Sequence, residues 1–245
     1  WLKSQFGAKE EKANDFGMTM AILGGDSLIN LGSEAISQSE LDLDVALQCL
    51  RWYQMGFSDL VEGVLLEMMM IRDPEVPIET YLEMVRLKTA TLFQKALLFG
   101  AKMAGASDSQ LDGFSEFGVK VGQAFQVQDD ILGSFGDEAE TGKSSSGDIR
   151  EGKKTMLLIQ ALKLSNADQR KVLDDLLGKD DMTEEEVEKV RQVFKKSGAL
   201  DATKELMERL LREGQAALKN ANPPLKPRFL EFLLELSEFL TSRAF

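Results

Sequence analysis

Apolar residues recur every three or four positions along most of this chain, which is the spacing of one buried face of an α-helix. The pattern is clearest over residues 18–36, 43–70, 81–103 and 114–135. No convincing two-residue alternation, the mark of a half-buried strand, competes with it. The sequence therefore predicts a protein built almost entirely of helices.

Prolines interrupt this pattern at only two places. All five lie before residue 78 or after residue 222, so the long stretch between them has none to break a helix. The other breaks follow clusters of glycine and polar residues. Together they predict a turn at 73–77, a loop at 136–152 and a last helix over 228–240.

Length and composition are ordinary for a globular chain. With 245 residues and 43% apolar content it can bury one sizeable core, and we expect a single domain over 1–245. No apolar run approaches the roughly 20 residues of a membrane span, and no signal peptide opens the chain. These features predict a cytoplasmic protein without an integral membrane segment.

The chemistry open to the chain is narrow because it contains no histidine and a single cysteine, Cys49. Ser-His-Asp hydrolysis, His-ligated zinc and an intrachain disulfide are thereby excluded. The net charge of −12 argues against a nucleic-acid partner, which requires clustered cations. Carboxylates and lysines have to carry any reaction.

An acidic pair stands out on one of the predicted helices. Asp129 and Asp130 lie in the otherwise apolar stretch FQVQDDIL, where two adjacent carboxylates cost stability unless a cation neutralises them. Gln126 is four residues from Asp130 and shares its helix face. An exposed surface pair is the alternative, but the apolar neighbours favour a pair at a cleft that binds Mg²⁺ through carboxylate oxygens.

Lysines follow the acidic pair at short range. Lys143 stands after a glycine in a small polar loop, and Lys153 lies in the sequence Gly-Lys-Lys-Thr. Such lysines can neutralise the anion that a bound cation attracts, and diphosphate is the anion we expect. For Lys143 the alternative is an ordinary lysine in a solvated Gly-Ser linker.

The acidic pattern occurs a second time, which provides an internal comparison. Asp174 and Asp175 repeat the D-D-x-x-G spacing, but without the Phe-Gln lead-in or a following Gly-Lys loop. A strongly charged stretch comes next, at 179–186. This copy is predicted to be a solvated helix end.

Lys88 and Thr89 interrupt another apolar helix. These two polar residues either belong to a functional site or are a lysine extending to solvent beside a threonine bonded to the backbone. The nearby methionines 68–70 are interpreted as core packing, although an apolar ligand would need a similar surface.

These segments together resemble the trans-isoprenyl diphosphate synthases. The resemblance lies in FQVQDDIL followed by FGD, GK and DIREGKKT, in KTATLF at 88–93, and in FGMTMAILGGDSL at 16–28. It extends over essentially the whole chain. It implies the all-α isoprenoid synthase fold, a helical bundle around a deep central cavity, and a homodimer.

The resemblance also implies a transferase that joins isopentenyl diphosphate to an allylic diphosphate. Loss of diphosphate from the allylic substrate would give a cation, which isopentenyl diphosphate attacks. Asp129 would bind Mg²⁺ directly, and Asp130 would be a ligand or a water-mediated partner. Asp148 would orient the nearby lysines.

The same resemblance assigns roles in binding the substrates. Lys88, Lys143 and Lys153 would hold diphosphate. Thr89 and Gln126 would line the reacting carbons, where oriented dipoles stabilise positive charge without offering a nucleophile.

Three departures from the family pattern bear on function. No first D-D-x-x-D motif occurs, so we expect the chain to be an N-terminally incomplete copy of a synthase. Gly133 stands where a third aspartate often stands, and Val64 stands where a glutamine is expected. A non-catalytic partner subunit therefore stays open as an alternative. A terpene cyclase of the same fold would require a different metal motif, which is not found near Asp129.

Overall fold

The computed structural model describes residue 4 and residues 10–136, 146–179 and 181–242. Within these ranges it contains helices, turns and connecting segments, and no strand. The prediction of an all-helical protein is confirmed. No described helix combines the length and the apolar character needed to cross a membrane.

The helices follow one another with short connections. The connection at Arg86–Ala90 is a π-helical segment. In chain order the elements are α1 (Glu10–Ser37), α2 (Leu43–Met70), α3 (Ile78–Val85), the π segment (Arg86–Ala90), α4 (Thr91–Met103), α5 (Asp108–Phe135), α6 (Gly147–Arg150), α7 (Met156–Leu164), α8 (Ala167–Leu176), α9 (Glu184–Lys196), α10 (Ala199–Lys219) and α11 (Pro227–Thr241).

The chain divides into two compact units, Trp1–Gln54 and Met55–Phe245. In the first, the Tyr53 hydroxyl donates a hydrogen bond to the Ile29 carbonyl at 2.8 Å and joins the start of α2 to α1. The second unit contains every described residue of the candidate site. A single domain over 1–245 stays a prediction.

Helix α5 is the central element of the second unit and packs most extensively against α10 and α4. Its buried apolar side chains contribute to three apolar clusters, one of which contains Phe117 and Val121. Val127 packs in a cluster that includes Tyr81 and Leu206, whereas Ile131 belongs to a cluster that includes Leu157 and Phe194. Since α5 is buried on several sides, a polar residue on it needs partners from the surrounding helices.

The π segment carries Lys88 and Thr89, and glycines let two neighbouring helices approach its backbone closely. A Cβ atom on Gly63 of α2 would lie 2.5 Å from the backbone nitrogen of Lys88. A Cβ atom on Gly122 of α5 would lie 2.5 Å from a Cα atom of the segment. Both helices therefore hold the segment in place, and π turns of this kind are frequent at functional sites.

Most predicted boundaries lie within a few residues of the observed ones. The stretch 43–70 coincides with α2, and the last helix begins and ends one residue outside the predicted bounds. The described part of the predicted loop 136–152 contains a helical turn, α6, that was not expected. Asp174 and Asp175 are exposed at the end of α8, as predicted for the second acidic pair.

The interpretation of methionines 68–70 as core packing is correct only for Met70. Met70 is 3% exposed, but Met68 and Met69 are 60% and 70% exposed. Successive residues on a helix point about 100° apart, so three in a row cannot all face one core.

Candidate functional site

A cavity of about 380 Å³ lies in the second unit. Its wall is formed by α2, α3, the π segment, α5 and residues 151–155. The structure brings five of the predicted site residues together on this wall. They are Lys88, Thr89, Gln126, Asp130 and Lys153.

Among the described residues, one predicted site residue stands apart from this group. Asp129 is half-buried on α5 and is not among the residues that line the cavity. Within the described part of the chain, no hydrogen-bond or ion-pair partner is found for its carboxylate. Lys143 lies outside the described residues.

Asp130 is almost fully buried, at 2% exposure, and is held by three donors. The Tyr81 hydroxyl and the Met156 backbone N–H donate to Oδ2 at 2.6 and 3.0 Å. The Gln126 amide donates from Nε2 to Oδ1 at 3.2 Å. Burial raises the pKa of Asp130 from 3.8 to about 6, because desolvation outweighs these hydrogen bonds and the charge of Lys153.

Gln126 connects this carboxylate to the π segment. The Thr89 hydroxyl donates to Oε1 of Gln126 at 2.9 Å. Because Nε2 of the same amide donates to Asp130, the orientation of the amide is determined. The hydroxyl oxygen of Thr89 and the carbonyl oxygen of Gln126 keep lone pairs at the cavity wall, so the wall presents neutral oxygen dipoles.

Two of the predicted lysines are paired with carboxylates. Nζ of Lys88 is 2.5 Å from Oε2 of Glu67, and Nζ of Lys153 is 3.4 Å from Oδ1 of Asp148. Burial lowers the pKa of Lys153, but the Asp148 and Asp130 carboxylates outweigh it and the net shift is upward. Lys153 therefore stays positively charged at neutral pH.

Two residues depart from the family pattern, Gly133 and Val64, and their surroundings differ. A Cβ atom on Gly133 would lie 2.5 Å from Oδ2 of Asp148, so the Asp148 carboxylate fills the space that a side chain at position 133 would need. Asp129 lies one helical turn earlier on the same face of α5. Val64 is exposed and does not line the cavity, so its apolar side chain removes no polar group from the wall.

The carboxylates of the site suit a Mg²⁺ ion that is coordinated partly by the protein and partly by the phosphate oxygens of a bound anion. Within the described residues, no three Asp, Glu, Cys or His side chains are close enough to form a metal centre. Proteins commonly bind Mg²⁺ with one or two carboxylates, and phosphate oxygens and water complete the coordination. Asp129 fits the role of direct ligand, whereas both oxygens of Asp130 already accept hydrogen bonds.

Sequence reasoning did not assign several residues of the cavity wall to the site, among them Glu67, Tyr81 and Lys154. Glu67 is a carboxylate in an apolar run, the same signal that pointed to Asp130. Burial and the Asp130 carboxylate raise the pKa of Tyr81 well above 10, so its hydroxyl remains a donor. For Lys154, no ion pair is found among the described residues, and its place in Gly-Lys-Lys-Thr was the available signal.

Comparison with known proteins places the chain in a family. The polyprenyl synthetase profile matches residues 8–194. The geranylgeranyl diphosphate synthase of Sulfolobus acidocaldarius is 31% identical over 226 residues, which cover 91% of this chain and 68% of that protein. The short chain isoprenyl diphosphate synthase of Methanocaldococcus jannaschii is 34% identical over 182 residues, which cover 74% of this chain and 55% of that protein.

A solved structure agrees with these similarities. It is the geranylgeranyl pyrophosphate synthase from Corynebacterium glutamicum complexed with isoprenyl diphosphate and magnesium, which matches with a TM-score of 0.85 at 26% identity. The match covers 96% of this chain and 68% of that one. The chain thus spans between about half and two thirds of the length of these proteins. It belongs to the polyprenyl synthetase family, that of the trans-isoprenyl diphosphate synthases, and has their all-α isoprenoid synthase fold.

Proposed function

We propose that the protein is a Mg²⁺-dependent prenyltransferase that condenses isopentenyl diphosphate with an allylic diphosphate. The observation that carries this proposal is the meeting of Lys88, Thr89, Gln126 and Lys153 on one cavity wall. Lysines suit the anionic end of the substrate, and neutral oxygen dipoles suit a developing carbocation. Family membership and the names of the relatives support the same reaction.

The diphosphate end of the allylic substrate would bind at the lysines. Lys88 and Lys153 supply positive charge from two different elements of the wall, and Lys154 adds a third ammonium group. Lys143, predicted from the sequence, is proposed for the same role. When bound at Asp129, Mg²⁺ would neutralise the diphosphate and make it a better leaving group.

The hydrocarbon end would react beside Thr89 and Gln126. As the carbon–oxygen bond of the allylic diphosphate breaks, the diphosphate takes the electron pair and an allylic cation remains. The oxygens of Thr89 and Gln126 stabilise this cation because their dipoles are already oriented by the hydrogen bonds to each other and to Asp130. The double bond of isopentenyl diphosphate then forms the new carbon–carbon bond, and the departing diphosphate accepts the proton that is lost.

A prenyl-transfer assay tests this proposal. The protein, expressed with any residues that precede Trp1 in its gene, is incubated with radiolabelled isopentenyl diphosphate, MgCl₂ and an allylic diphosphate of five, ten or fifteen carbons. Asp129→Ala is compared with Asp175→Ala, which removes an exposed carboxylate from the second acidic pair. We expect labelled product from the wild type and Asp175→Ala, and a loss of about 100-fold or more in Asp129→Ala.

Equal activity of the two variants would contradict the assignment of Asp129. Absence of product with every allylic diphosphate would contradict the proposed reaction. If the protein still bound Mg²⁺ and diphosphate in that case, the non-catalytic partner subunit would become the better explanation.

A further inference from the structure

Glu67 places a negative charge in the cavity that the proposed reaction does not use. It lies near the C-terminal end of α2, in the apolar run Leu-Leu-Glu-Met-Met, and its carboxylate is on the cavity wall. Its Oε2 atom is 2.5 Å from Nζ of Lys88, and the two side chains are only 25% and 36% exposed. The lysine proposed to bind diphosphate is therefore already held by an anion of the protein.

The rest of the cavity does not relieve this competition. The lining contains the carboxylates of Glu67, Asp130 and Glu151 as well as three lysines, so its formal charges balance. Lys153 is also paired, with Asp148. A metal-free diphosphate at Lys88 would face the Glu67 carboxylate within a few ångströms, and like charges at that separation repel strongly where water is scarce.

A divalent cation changes the balance of charge. When diphosphate enters as its metal complex, the positive charge of the cation offsets the repulsion between Glu67 and the phosphate oxygens. We propose that Glu67 is a specificity-determining residue that makes diphosphate binding at Lys88 depend on the metal. This inference rests on the proposed function, because it concerns the same cavity and the same anion.

Two properties of Glu67 follow from this role. Without ligand it pairs with Lys88 and holds the ammonium group at the wall, which positions that group for a later anion. With ligand it discriminates between free diphosphate and its metal complex, so the cavity would not be blocked by free diphosphate.

Calorimetric titration of inorganic diphosphate, in EDTA and in MgCl₂, tests the inference without any turnover. Glu67→Gln removes the charge and keeps the shape, and Glu67→Asp keeps the charge on a shorter side chain. Glu62→Gln is the matched control, since it removes one charge from an exposed position of the same helix outside the cavity wall. The ratio of the two dissociation constants is compared for each protein.

We expect the wild type and Glu62→Gln to bind diphosphate far more tightly in MgCl₂ than in EDTA. Glu67→Gln should bind it about tenfold more tightly than the wild type in EDTA, with no gain in MgCl₂. Glu67→Asp should retain the metal dependence. An unchanged ratio in Glu67→Gln would overturn this inference and leave the proposed function intact. Failure of the wild type to bind diphosphate even with Mg²⁺ would overturn both.

Discussion

Asp130 illustrates how a carboxylate is accommodated among packed helices. Its three hydrogen bonds come from α3, from α5 itself and from the first residue of α7. They do not fully replace the water lost on burial, so the pKa of Asp130 remains raised, at about 6. Because its lost hydration is not fully replaced, the ionised Asp130 carboxylate lowers the stability of the unliganded protein. A nearby cation would make the ionised form more favourable.

Replacement of Asp130 should therefore stabilise the unliganded protein at neutral pH. Between the ordinary pKa of 3.8 and the folded value of about 6, the folded state holds a proton that the unfolded state has released. The free energy of unfolding consequently falls as the pH rises through this window, by up to about 3 kcal/mol. Asp130→Asn removes that penalty, and its amide can still accept the hydrogen bonds from Tyr81 and Met156 if Gln126 rotates its own amide.

Thermal unfolding in EDTA, at pH 4 and at pH 7.5, measures this effect. Asp130→Asn should unfold at a higher temperature than the wild type at pH 7.5, and the difference should shrink at pH 4. Asp175→Asn, at an exposed carboxylate, should show no such pH dependence. An Asp130→Asn protein that is less stable than the wild type at both pH values would refute this explanation.

Individual site residues were predictable where local sequence carries the signal. Lys88, Thr89, Gln126 and Lys153 lie in short motifs, and the structure brings them to one wall. Tyr81 was not predictable, because its partner Asp130 is 49 residues away and a tyrosine in an amphipathic helix resembles core packing. Its role depends on how α3 packs against α5.

At the scale of elements, the π segment is what places Lys88 and Thr89. An α-helix continued from α3 into α4 would give these residues a different rotation about the helix axis. The segment is instead held between α2 and α5, at Gly63 and Gly122, where a methyl group would meet backbone atoms. The position of Lys88 thus depends on glycines that do not line the cavity.

Gly63→Ala should disturb the site through this contact. Its new methyl group would lie 2.5 Å from the backbone nitrogen of Lys88, so α2 or the π segment has to move. Overpacking of this kind costs about 1–3 kcal/mol, and we expect a lower melting temperature and about tenfold weaker binding of diphosphate with Mg²⁺.

Gly100→Ala is the matched control for that experiment. Gly100 lies within α4, and a Cβ atom there would meet nothing within 4 Å. Alanine favours a helix over glycine, so this variant should be slightly more stable, with unchanged diphosphate binding. Similar behaviour of the two variants would show that the close contact at Gly63 is unimportant.

The helices themselves were predictable because the apolar spacing is regular and prolines are few. The π segment was not, since an apolar period of three to four residues does not reveal one extra residue in a turn. The exposure of Met68 and Met69 also escaped prediction, because a run of methionines does not indicate which of its members faces the core.

At the scale of the whole molecule, helices of both units expose large apolar side chains. In α1, Met18 and Leu28 are 67% and 70% exposed, and in α2 Met68 and Met69 are 60% and 70% exposed. Large apolar side chains exposed side by side on one helix, as at Met68 and Met69, are typical of an interaction site. Such exposure supports the expectation of a homodimer.

Sedimentation equilibrium tests that expectation. For the 27.2 kDa chain we expect a species of about 54 kDa, since a twofold dimer is the commonest closed assembly. Met69→Glu should shift the equilibrium toward the monomer, because it would place a charge in the proposed interface. A monomer at micromolar concentration, unchanged by this substitution, would contradict the dimer.

The fold class of the whole chain followed from its helical periodicity, and the family followed from the order of several short motifs. Neither signal defines the cavity, because its wall combines residues from α2, α3, the π segment, α5 and the segment after α6. The distances across it result from the packing of the complete second unit.

A crystal structure with Mn²⁺ and a non-hydrolysable allylic thiolodiphosphate tests the central claim most directly. The account predicts an anomalous difference peak for Mn²⁺ at the Asp129 carboxylate, diphosphate between Lys88 and Lys153, and the first allylic carbons beside Thr89 and Gln126. Diphosphate bound elsewhere on the protein, or a Mn²⁺ peak away from Asp129, would contradict it.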